Sequence, residues 1–470
     1  MVFSSLVYLF FFFTLFLTLY FVLPKQCRNY VLLFFSLVFY AWGEPVYILL
    51  MLGVTFSDYL LGLLMQRADD KPGKRKACLI ASIVIDLSVL GFFKYADFLI
   101  GSVNSIFRTR LPLVNVALPI GISFFTFQTL SYTIDLYRRE VTAEKNYLEY
   151  LMYVSMFPQL IAGPIVRYST VRDELHSRVI TEKAFFEGIE RFVYGLLKKV
   201  LLANRLGPMW EAAKATAPEN MTVVFAWLGA LTFTLQLYLD FSAYSDMAIG
   251  LGKMMGFNFM ENFIYPLSAD SVTDFWRRWH ISLSTWFRDY VYIPLGGNRR
   301  GTKRQIFNIA VVWFLTGMWH GASWNYVLWG VYYGILLCLE KFVFGKLLKK
   351  LPAFFRHLYL IVIVVLGFTL FAIEDFSVLG GYLRAMFTGC GGFVSRDILY
   401  YLQNYGFVLA TSIVVSMPVF PKLKAFAESR KGLAAQVLGI VWGIVLLVLF
   451  GTAVSYMVAD TYNPFLYFRF

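Results

Sequence analysis

Charged side chains are scarce in this chain. Asp, Glu, Lys and Arg together make up 15% of the 470 residues, whereas a soluble domain has about 25%. The deficit extends along the whole chain, and no polar stretch is long enough to form a soluble catalytic domain. Any chemistry must therefore be built from apolar helices and the short loops between them.

Cysteine and several familiar catalytic motifs are also scarce or absent. The four cysteines, Cys27, Cys78, Cys338 and Cys390, show no C-x-x-C spacing. We expect them to be small packing residues, with no disulfide framework and no metal site. The chain has no P-loop, G-x-G-x-x-G, G-x-S-x-G or H-E-x-x-H motif. These absences argue against an ATPase, a dinucleotide enzyme, a serine hydrolase and a zinc protease.

Long apolar runs dominate what the chain does contain, since 59% of its residues are hydrophobic and 19% aromatic. A membrane-spanning helix needs about 20 apolar residues. The runs cover residues 6–23, 30–42, 46–65, 78–93, 223–239, 306–319, 327–339, 358–373, 407–420 and 434–458. They predict an all-α polytopic membrane protein with about eleven spanning helices and some short re-entrant or interfacial segments. With no internal repeat and no linker, we expect one integral membrane domain over residues 1–470.

The first run and the net charge each have a membrane interpretation. No basic residue precedes the first run and no small-x-small cleavage site follows it, so we expect a retained helix.

The net charge is +13, and basic residues are concentrated in residues 66–76, 340–350 and 421–431. Such an excess is typical of cytoplasmic loops, so the charge predicts loop orientation and no nucleic-acid partner.

Residues 253–308 form an aromatic-basic segment that is too polar for a simple span. Trp and Tyr favour the headgroup zone, so we expect a helix that lies along the interface or dips partly into it. Pro294, Gly296 and Gly297 should end that helix. A lipid headgroup or a nucleotide-bearing acyl donor could bind the basic residues, which are Arg277, Arg278, Arg288, Arg299, Arg300, Lys303 and Arg304.

Four histidines are present, and two of them occupy unusual positions. His176 in a polar loop and His357 beside an arginine are expected to be surface or interfacial residues. His320 lies within "WFLTGMWHGASWNYVLWG", and ionisable residues inside a membrane are functional by default. A buried His320 bonded to Asn325 is the structural alternative. His280 is either an interfacial hydrogen-bonding residue or the second member of a shared site, where imidazole would transfer protons at neutral pH.

Small and polar residues surround these histidines in the sequence. Gly317 and Gly321 remove bulk beside His320, as a ligand or a neighbouring helix would require. In the apolar stretch from Leu235 to Phe257, Gln236, Asp240 and Tyr244 share one helical face and Asp246 lies on another. We expect Gln236 and Tyr244 to belong to a polar network that joins helices. For Asp240 and Asp246 a role in supporting a catalytic site is equally open.

Several of these segments resemble the membrane-bound O-acyltransferases. The likeness is strongest to the membrane subunit of bacterial alginate O-acetylation and to its relatives in peptidoglycan and cellulose acetylation. The similar segments are "FYAWGEP", "FPQLIAGPIVRY", "DFSAYSDMAIGLGKMMGF", "DFWRRWHISLSTWFRDYVYIPLGGNRRG", "LTGMWHGASWNYVLWG" and "YNPFLYFRF". The resemblance implies roughly eleven spanning helices around a thin central region with funnels from both faces. By position, His320 matches the family's catalytic histidine and His280 its second histidine.

The resemblance also implies an activity. It predicts transfer of an acetyl group from cytoplasmic acetyl-CoA to an extracytoplasmic acceptor protein, and ultimately to a hydroxyl of a cell-surface or exported polysaccharide. The location implied is the inner or plasma membrane of a bacterium, in contact with lipid. No metal and no permanently bound cofactor is required. The phosphates of acetyl-CoA are expected near Arg277, Arg278, Arg288, Arg299 and Arg300.

In the mechanism implied, His320 removes the proton of the acceptor hydroxyl as it attacks the thioester. His280 or Asn325 would orient that imidazole or donate to the oxyanion. A covalent acetyl-histidine intermediate is an alternative.

Three other functions stay open on the sequence alone. The sister branch that moves D-alanyl groups toward teichoic acid shares the histidine segments. A transporter also carries intramembrane ionisable residues, although repeated halves are lacking here. A non-catalytic scaffold of an exopolysaccharide complex is the third possibility, and it should tolerate substitution of His320.

Overall fold

The computed structural model describes residues 1–429, 432–460 and 465–466. Throughout this part of the chain, helices are joined by turns and short loops, and no β-strand occurs. The predicted all-α class is therefore confirmed for the described residues. The expected C-terminal motif at residues 462–470 lies outside them except for Phe465 and Leu466, and so do residues 430 and 431 of the third basic cluster.

The chain folds into two compact units. Unit 1 comprises Met1–Phe192 and Met247–Met260, and unit 2 comprises Val193–Asp246 and Glu261–Phe470. The single acyltransferase domain expected over residues 1–470 stays a prediction. The compactness of the two units does not show which residues act together.

Unit 1 is built around an aromatic centre. Phe157 lies in it, with its ring centroid 5.2 Å from that of Phe16 and 5.6 Å from that of Phe12. Burial of large aromatic rings is the main favourable contribution to such a core. The helices of this part of the chain are α1 (Val7–Val22), α2 (Arg28–Gly43), α3 (Ile48–Arg67), α4 (Pro72–Phe107), α5 (Ile122–Arg138), α6 (Tyr147–Ser155), α7 (Tyr168–His176) and α8 (Glu182–Leu197).

Unit 2 has a second aromatic cluster, centred on Trp276. Its ring centroid lies 4.6 Å from that of Trp313 and 4.8 Å from that of Tyr333. The helices of this part of the chain are α9 (Asn204–Ala215), α10 (Val223–Met255), α11 (Val272–Arg278), α12 (Ile281–Phe287), α13 (Gly301–His320), α14 (Trp324–Leu348), α15 (Ala353–Ala372), α16 (Phe376–Thr388), α17 (Asp397–Val415), α18 (Val419–Glu428) and α19 (Leu433–Ala459).

Among the described residues, seven helices are long and apolar enough to cross a membrane. They are α3, α4, α10, α14, α15, α17 and the Ala435–Ala459 part of α19. The apolar runs at 30–42 and 306–319 also form helices, α2 and α13. Helix α1 is apolar as well, but it is shorter. The count of about eleven spans stays a prediction.

The aromatic-basic segment differs from the single helix that the sequence predicts. Between the end of α10 and the start of α13 it forms two short α-helices, α11 and α12, which are separated at His280. Its tryptophans Trp276, Trp279 and Trp286 are buried inside the protein, although composition favours the headgroup zone. Aromatic rings satisfy a packed core as well as an interface, so composition alone does not distinguish the two. The predicted break is confirmed, because residues 293–300 form turns in which Gly296 and Gly297 have positive φ angles.

Helices α13 and α14 approach each other closely at glycines. A Cβ at Gly317 would lie 3.4 Å from the Cα of Gly330 and would overlap the backbone oxygen of Tyr326. A Cβ at Gly321 would overlap the ring of Tyr326. The missing side chains of Gly317 and Gly321 thus make room for α14. This contact fixes the position of the end of α13, where His320 lies.

We predict that Gly317→Ala destabilises the protein by about 1–3 kcal/mol, because α13 and α14 must separate to admit the methyl group. The unfolding temperature of the detergent-solubilised protein measures the effect. Gly406→Ala is the matched control, since nothing lies within 4 Å of a Cβ at that helical position. The control should be neutral or slightly stabilising. Equal unfolding temperatures for the two variants would contradict the packing account.

Candidate active site

A cavity of about 340 Å³ lies in unit 2 beside the short helices α11 and α12. Such a volume is within the range of small-molecule sites. Its lining comes from α11, α12, α13 and α14, and is mostly aromatic or aliphatic. The residues are Thr273, Trp276, Arg277, His280, Leu283, Ser284, Phe287, Arg288, Tyr292, Ile309, Val312, Trp313, Thr316, His320 and Leu337.

The cavity runs from exposed residues to buried ones. Arg277, Ser284 and Arg288 are exposed, whereas His280 and His320 are 1% and 5% exposed. The charged side chains therefore mark a mouth, and the two imidazoles lie at the protected end. The structure brings together the two histidines that the sequence singles out.

His320 is the last residue of α13 and is held by aromatic rings. Its ring centroid lies 5.0 Å from that of Trp329 and 5.3 Å from that of Phe371, both in edge-on geometry. Trp319 contacts both imidazoles, with ring centroids 5.2 Å from His320 and 5.7 Å from His280. A low-polarity wall of this kind strengthens any electrostatic interaction made inside the cavity.

His280 is held by a hydrogen bond that determines its tautomer. Its Nδ1 lies 3.1 Å from Oδ1 of Asn262. The same oxygen accepts from the backbone N–H and the hydroxyl of Ser282, at 3.3 and 2.9 Å. An amide oxygen only accepts, so Nδ1 of His280 carries a hydrogen. Burial lowers the pKa of His280 well below its usual range, so the ring is neutral and its Nε2 is a hydrogen-bond acceptor.

The backbone at His280 is unusual as well. Its φ angle is 45°, in the left-handed region that non-glycine residues seldom adopt. This conformation lies between α11 and α12, and the N–H of Ile281 donates to the backbone oxygen of Asn262 at 3.0 Å. Strain of this kind persists only where surrounding contacts enforce it, and it occurs often at functional sites.

A buried carboxylate holds the start of α11. Oε1 of Glu340 accepts the N–H of Val272 at 2.7 Å, and Oε2 accepts the N–H and hydroxyl of Thr273 at 2.8 and 2.7 Å. The hydroxyl of Tyr359 donates to Oε1 at 3.1 Å. A negative charge at a helix N-terminus also interacts favourably with the helix dipole. Glu340 therefore positions the helix that carries Trp276 and Arg277 into the cavity wall.

Of the five arginines proposed for donor binding, two form ion pairs with an aspartate, and three form none with the described residues. Arg278 pairs with Asp274 at 2.8 Å, and Arg288 pairs with Asp289 at 2.7 Å. Within the described part of the chain, no ion pair involves Arg277, Arg299 or Arg300. Arg277 and Arg288 line the cavity, and Arg278, Arg299 and Arg300 do not.

The acidic residues of α10 form ion pairs with neighbouring lysines. Asp240 is buried and pairs with Lys199 at 2.6 Å, and it also accepts the N–H of Leu466 at 2.7 Å. Asp246 pairs with Lys198. Neither aspartate lines the cavity. The structure thus places Asp240 and Asp246 in helix-joining contacts, and the role in supporting catalysis stays a prediction.

The remaining predicted residues lie outside the cavity lining. Asn325 is buried and donates to the backbone oxygen of Phe371 at 3.0 Å, which joins α14 to the end of α15. His176 ends α7, is 47% exposed, and lies 3.1 Å from a Glu149 oxygen. His357 lies 3.0 Å from the backbone oxygen of Ala269.

Sequence reasoning did not find Asn262 or Glu340. Asn262 precedes His280 by 18 residues and has no recognisable spacing to it. Glu340 follows Val272 by 68 residues. The only sequence signal for Glu340 was its position as an acidic residue directly after the apolar run at 327–339. The four cysteines are free: Cys27, Cys78 and Cys338 are half-buried and Cys390 is exposed.

Comparison with known proteins decides the family. Residues 87–382 match the membrane-bound O-acyltransferase family. The chain belongs to this family. A probable alginate O-acetylase of Pseudomonas putida is 40% identical over the whole of both chains. The peptidoglycan O-acetyltransferase of Helicobacter pylori is 34% identical over 68% of this chain and 67% of its own. The teichoic acid D-alanyltransferase of Bacillus subtilis is 29% identical over 55% of this chain and 68% of its own.

Membership of the membrane-bound O-acyltransferases fits both the helices and the cavity. The apolar helices are those of a multi-pass membrane protein, and the chain is an O-acyltransferase. The resemblance stated from the sequence motifs is thereby confirmed. Both cavity histidines fall inside the matched residues.

We predict that Glu340→Ala lowers the free energy of unfolding by about 3 kcal/mol, since it leaves buried N–H donors at the start of α11 without an acceptor. Glu340→Gln should cost less, because one acceptor oxygen remains. Thermal unfolding in detergent measures both variants. Glu219→Ala, at an exposed position, is the control and should have little effect. If Glu340→Ala unfolds at the same temperature as the control, Glu340 does not hold α11.

Proposed function

We propose that this membrane-bound O-acyltransferase moves an acetyl group from acetyl-CoA to an acceptor hydroxyl in the cavity of unit 2. The observation that carries the proposal is the presence of two imidazoles, His280 and His320, at the buried end of one cavity. The names of the relatives support the acetyl group, since they include a probable alginate O-acetylase and a peptidoglycan O-acetyltransferase.

The transfer needs one base and no net redox change. His320 takes the proton of the acceptor hydroxyl while the hydroxyl oxygen forms a bond to the thioester carbonyl carbon. The tetrahedral intermediate then collapses, the carbon–sulfur bond breaks, and the proton passes from the imidazolium to the leaving thiolate. The products are the acetyl ester and free CoA. An acetyl-histidine intermediate is the alternative route to the same products.

His280 is better suited to accept a hydrogen bond than to donate one to an oxyanion. Its only ring proton is on Nδ1, which is directed at Asn262. Nε2 can therefore receive the acceptor hydroxyl or a ring N–H of His320. Asn262 acts as a positioning residue, because it fixes which nitrogen of His280 carries the proton.

The mouth of the cavity suits a donor that carries phosphates. Arg277 is exposed, lines the cavity and forms no ion pair with any described residue. Its guanidinium is therefore available for bidentate contact with a phosphate. Arg299 and Arg300 are two further exposed cations without an ion pair to the described residues. Arg278 and Arg288 are weaker candidates, since aspartates already neutralise them.

The destination of the acetyl group belongs to the proposal as well. The names of the acetylating relatives favour a polysaccharide as the final acceptor, reached through an extracytoplasmic partner protein. The corresponding location is the inner or plasma membrane of a bacterium, with acetyl-CoA supplied from the cytoplasm. The D-alanyl alternative is less favoured, because the D-alanyltransferase matches a smaller part of the chain at lower identity. Family membership favours an enzyme over a transporter or a scaffold.

We predict that His320→Ala reduces acetyl transfer from isotope-labelled acetyl-CoA by at least about 100-fold in membrane vesicles, as expected for loss of a general base. His357→Ala is the matched control, since this histidine does not line the cavity. The control should keep wild-type activity. If His320→Ala keeps it too, His320 is not the base. Turnover with a D-alanyl carrier protein but not with acetyl-CoA would establish the D-alanyl alternative.

We predict that Arg277→Gln raises the KM for acetyl-CoA about 10-fold, which corresponds to about 1.4 kcal/mol of lost binding. The value of kcat should change less, because Arg277 lies at the mouth and not beside the histidines. Steady-state kinetics with varied acetyl-CoA separates the two constants. Arg384→Gln, an exposed arginine outside the cavity, is the control. An unchanged KM for Arg277→Gln would exclude this arginine from donor binding.

A further inference from the structure

Unit 1 contains two aspartates buried between helices that are long enough to span a membrane. Asp58 is on α3 and Asp86 is on α4, and both are 0% exposed. Neither carboxyl forms an ion pair with a lysine or arginine in the part of the chain that the structure describes. Two buried negative charges without a cation are strongly disfavoured. Something other than a basic side chain must therefore offset them.

The hydroxyl groups around the pair satisfy only one oxygen of each carboxyl. The hydroxyl of Ser82 donates to Oδ1 of Asp58 at 2.6 Å, and the hydroxyl of Thr129 donates to Oδ2 of Asp86 at 2.8 Å. Oδ2 of Asp58 and Oδ1 of Asp86 are buried and receive no hydrogen bond from another residue. Hydroxyl groups link the two aspartates, because the hydroxyl of Ser82 also contacts that of Thr133 at 3.1 Å, and the Thr133 hydroxyl donates to the backbone oxygen of Thr129 at 3.0 Å. A protonated carboxyl is neutral, so it needs no cation when it is buried.

Buried tyrosines pack among the same helices. Tyr150 of α6 is fully buried, its ring centroid lies 4.6 Å from that of Tyr132 of α5, and its hydroxyl has no partner among the described residues. The hydroxyl of Tyr132 accepts the N–H of Glu144 at 3.0 Å. The side-chain partners that the structure describes for Asp58 and Asp86 are thus hydroxyls and not cations.

We propose that Asp58 and Asp86 form a proton-binding site in the membrane part of unit 1, in which at least one of the two carboxyls is protonated at neutral pH. A Mg²⁺ or Ca²⁺ ion would need six or more oxygen ligands, and only two carboxylate oxygens are left after Ser82 and Thr129 have donated. A proton needs only one of them. Ser82 of α4 joins the site to α3, and Thr129 of α5 joins it to α4. This inference does not depend on the proposed acetyl transfer.

Infrared spectroscopy of the full-length protein in lipid tests the site. The wild-type protein at neutral pH should show the carbonyl stretch of a protonated carboxyl. That band should shift in heavy water and on labelling aspartate with a heavy isotope at its side-chain carboxyl. It should disappear when Asp58→Asn and Asp86→Asn are combined, and it should remain in the control Asp70→Asn, whose aspartate is exposed.

A wild-type protein without the band would overturn the proposal, and so would a band that survives in the double variant. If the double variant does not fold, Thr129→Val replaces it as the test. This change removes the hydroxyl donor to Asp86 with little change in shape, so it should shift the frequency of the band. An unchanged frequency would show that the protonated aspartate is not Asp86.

Discussion

The contact between Glu340 and the first turn of α11 is the fixed point of the cavity. One buried carboxylate accepts the N–H groups of Val272 and Thr273, and the direction of the short helix follows. Trp276 and Arg277 are then placed in the cavity wall, and the chain turns at His280. Without this acceptor, a helix of seven residues would have little to hold it, because short helices are marginal by themselves.

Low polarity favours imidazoles as the proposed catalytic groups of the same region. The buried charged groups that the structure describes in unit 2 have polar partners: Lys199 pairs with Asp240, and Glu340 accepts N–H and hydroxyl groups. The buried end of the cavity instead contains imidazoles, and a neutral imidazole still accepts a proton. At the mouth of the cavity, Arg277 keeps its charge available because it is exposed. Its neighbour Arg278, which does not line the cavity, pairs with Asp274.

The features that the sequence predicted are those with a local signal. Apolar runs predicted the helices, and the proline and glycines at 294–297 predicted the break after α12. The rarity of histidine in an apolar chain drew attention to His320 and His280, and the structure places both in one cavity. In each case the residue type and its neighbours along the chain were enough.

The features that sequence reasoning missed depend on contacts between distant residues. Asn262 determines the tautomer of His280 from 18 residues away, and Glu340 holds α11 from 68 residues away. The left-handed backbone of His280 follows from those contacts and not from a glycine. The aromatic-basic segment forms two short helices in place of the single helix expected, because no residue type around His280 marks the break between α11 and α12. The position of this segment at the membrane interface stays a prediction.

The most direct test of the central claim is a structure determined with a non-hydrolysable thioether analogue of acetyl-CoA. We expect the acetyl carbonyl at the buried end of the cavity, within hydrogen-bond reach of His320 or His280, and the phosphates near Arg277 at the mouth. An analogue bound elsewhere, with the cavity empty, would contradict the account.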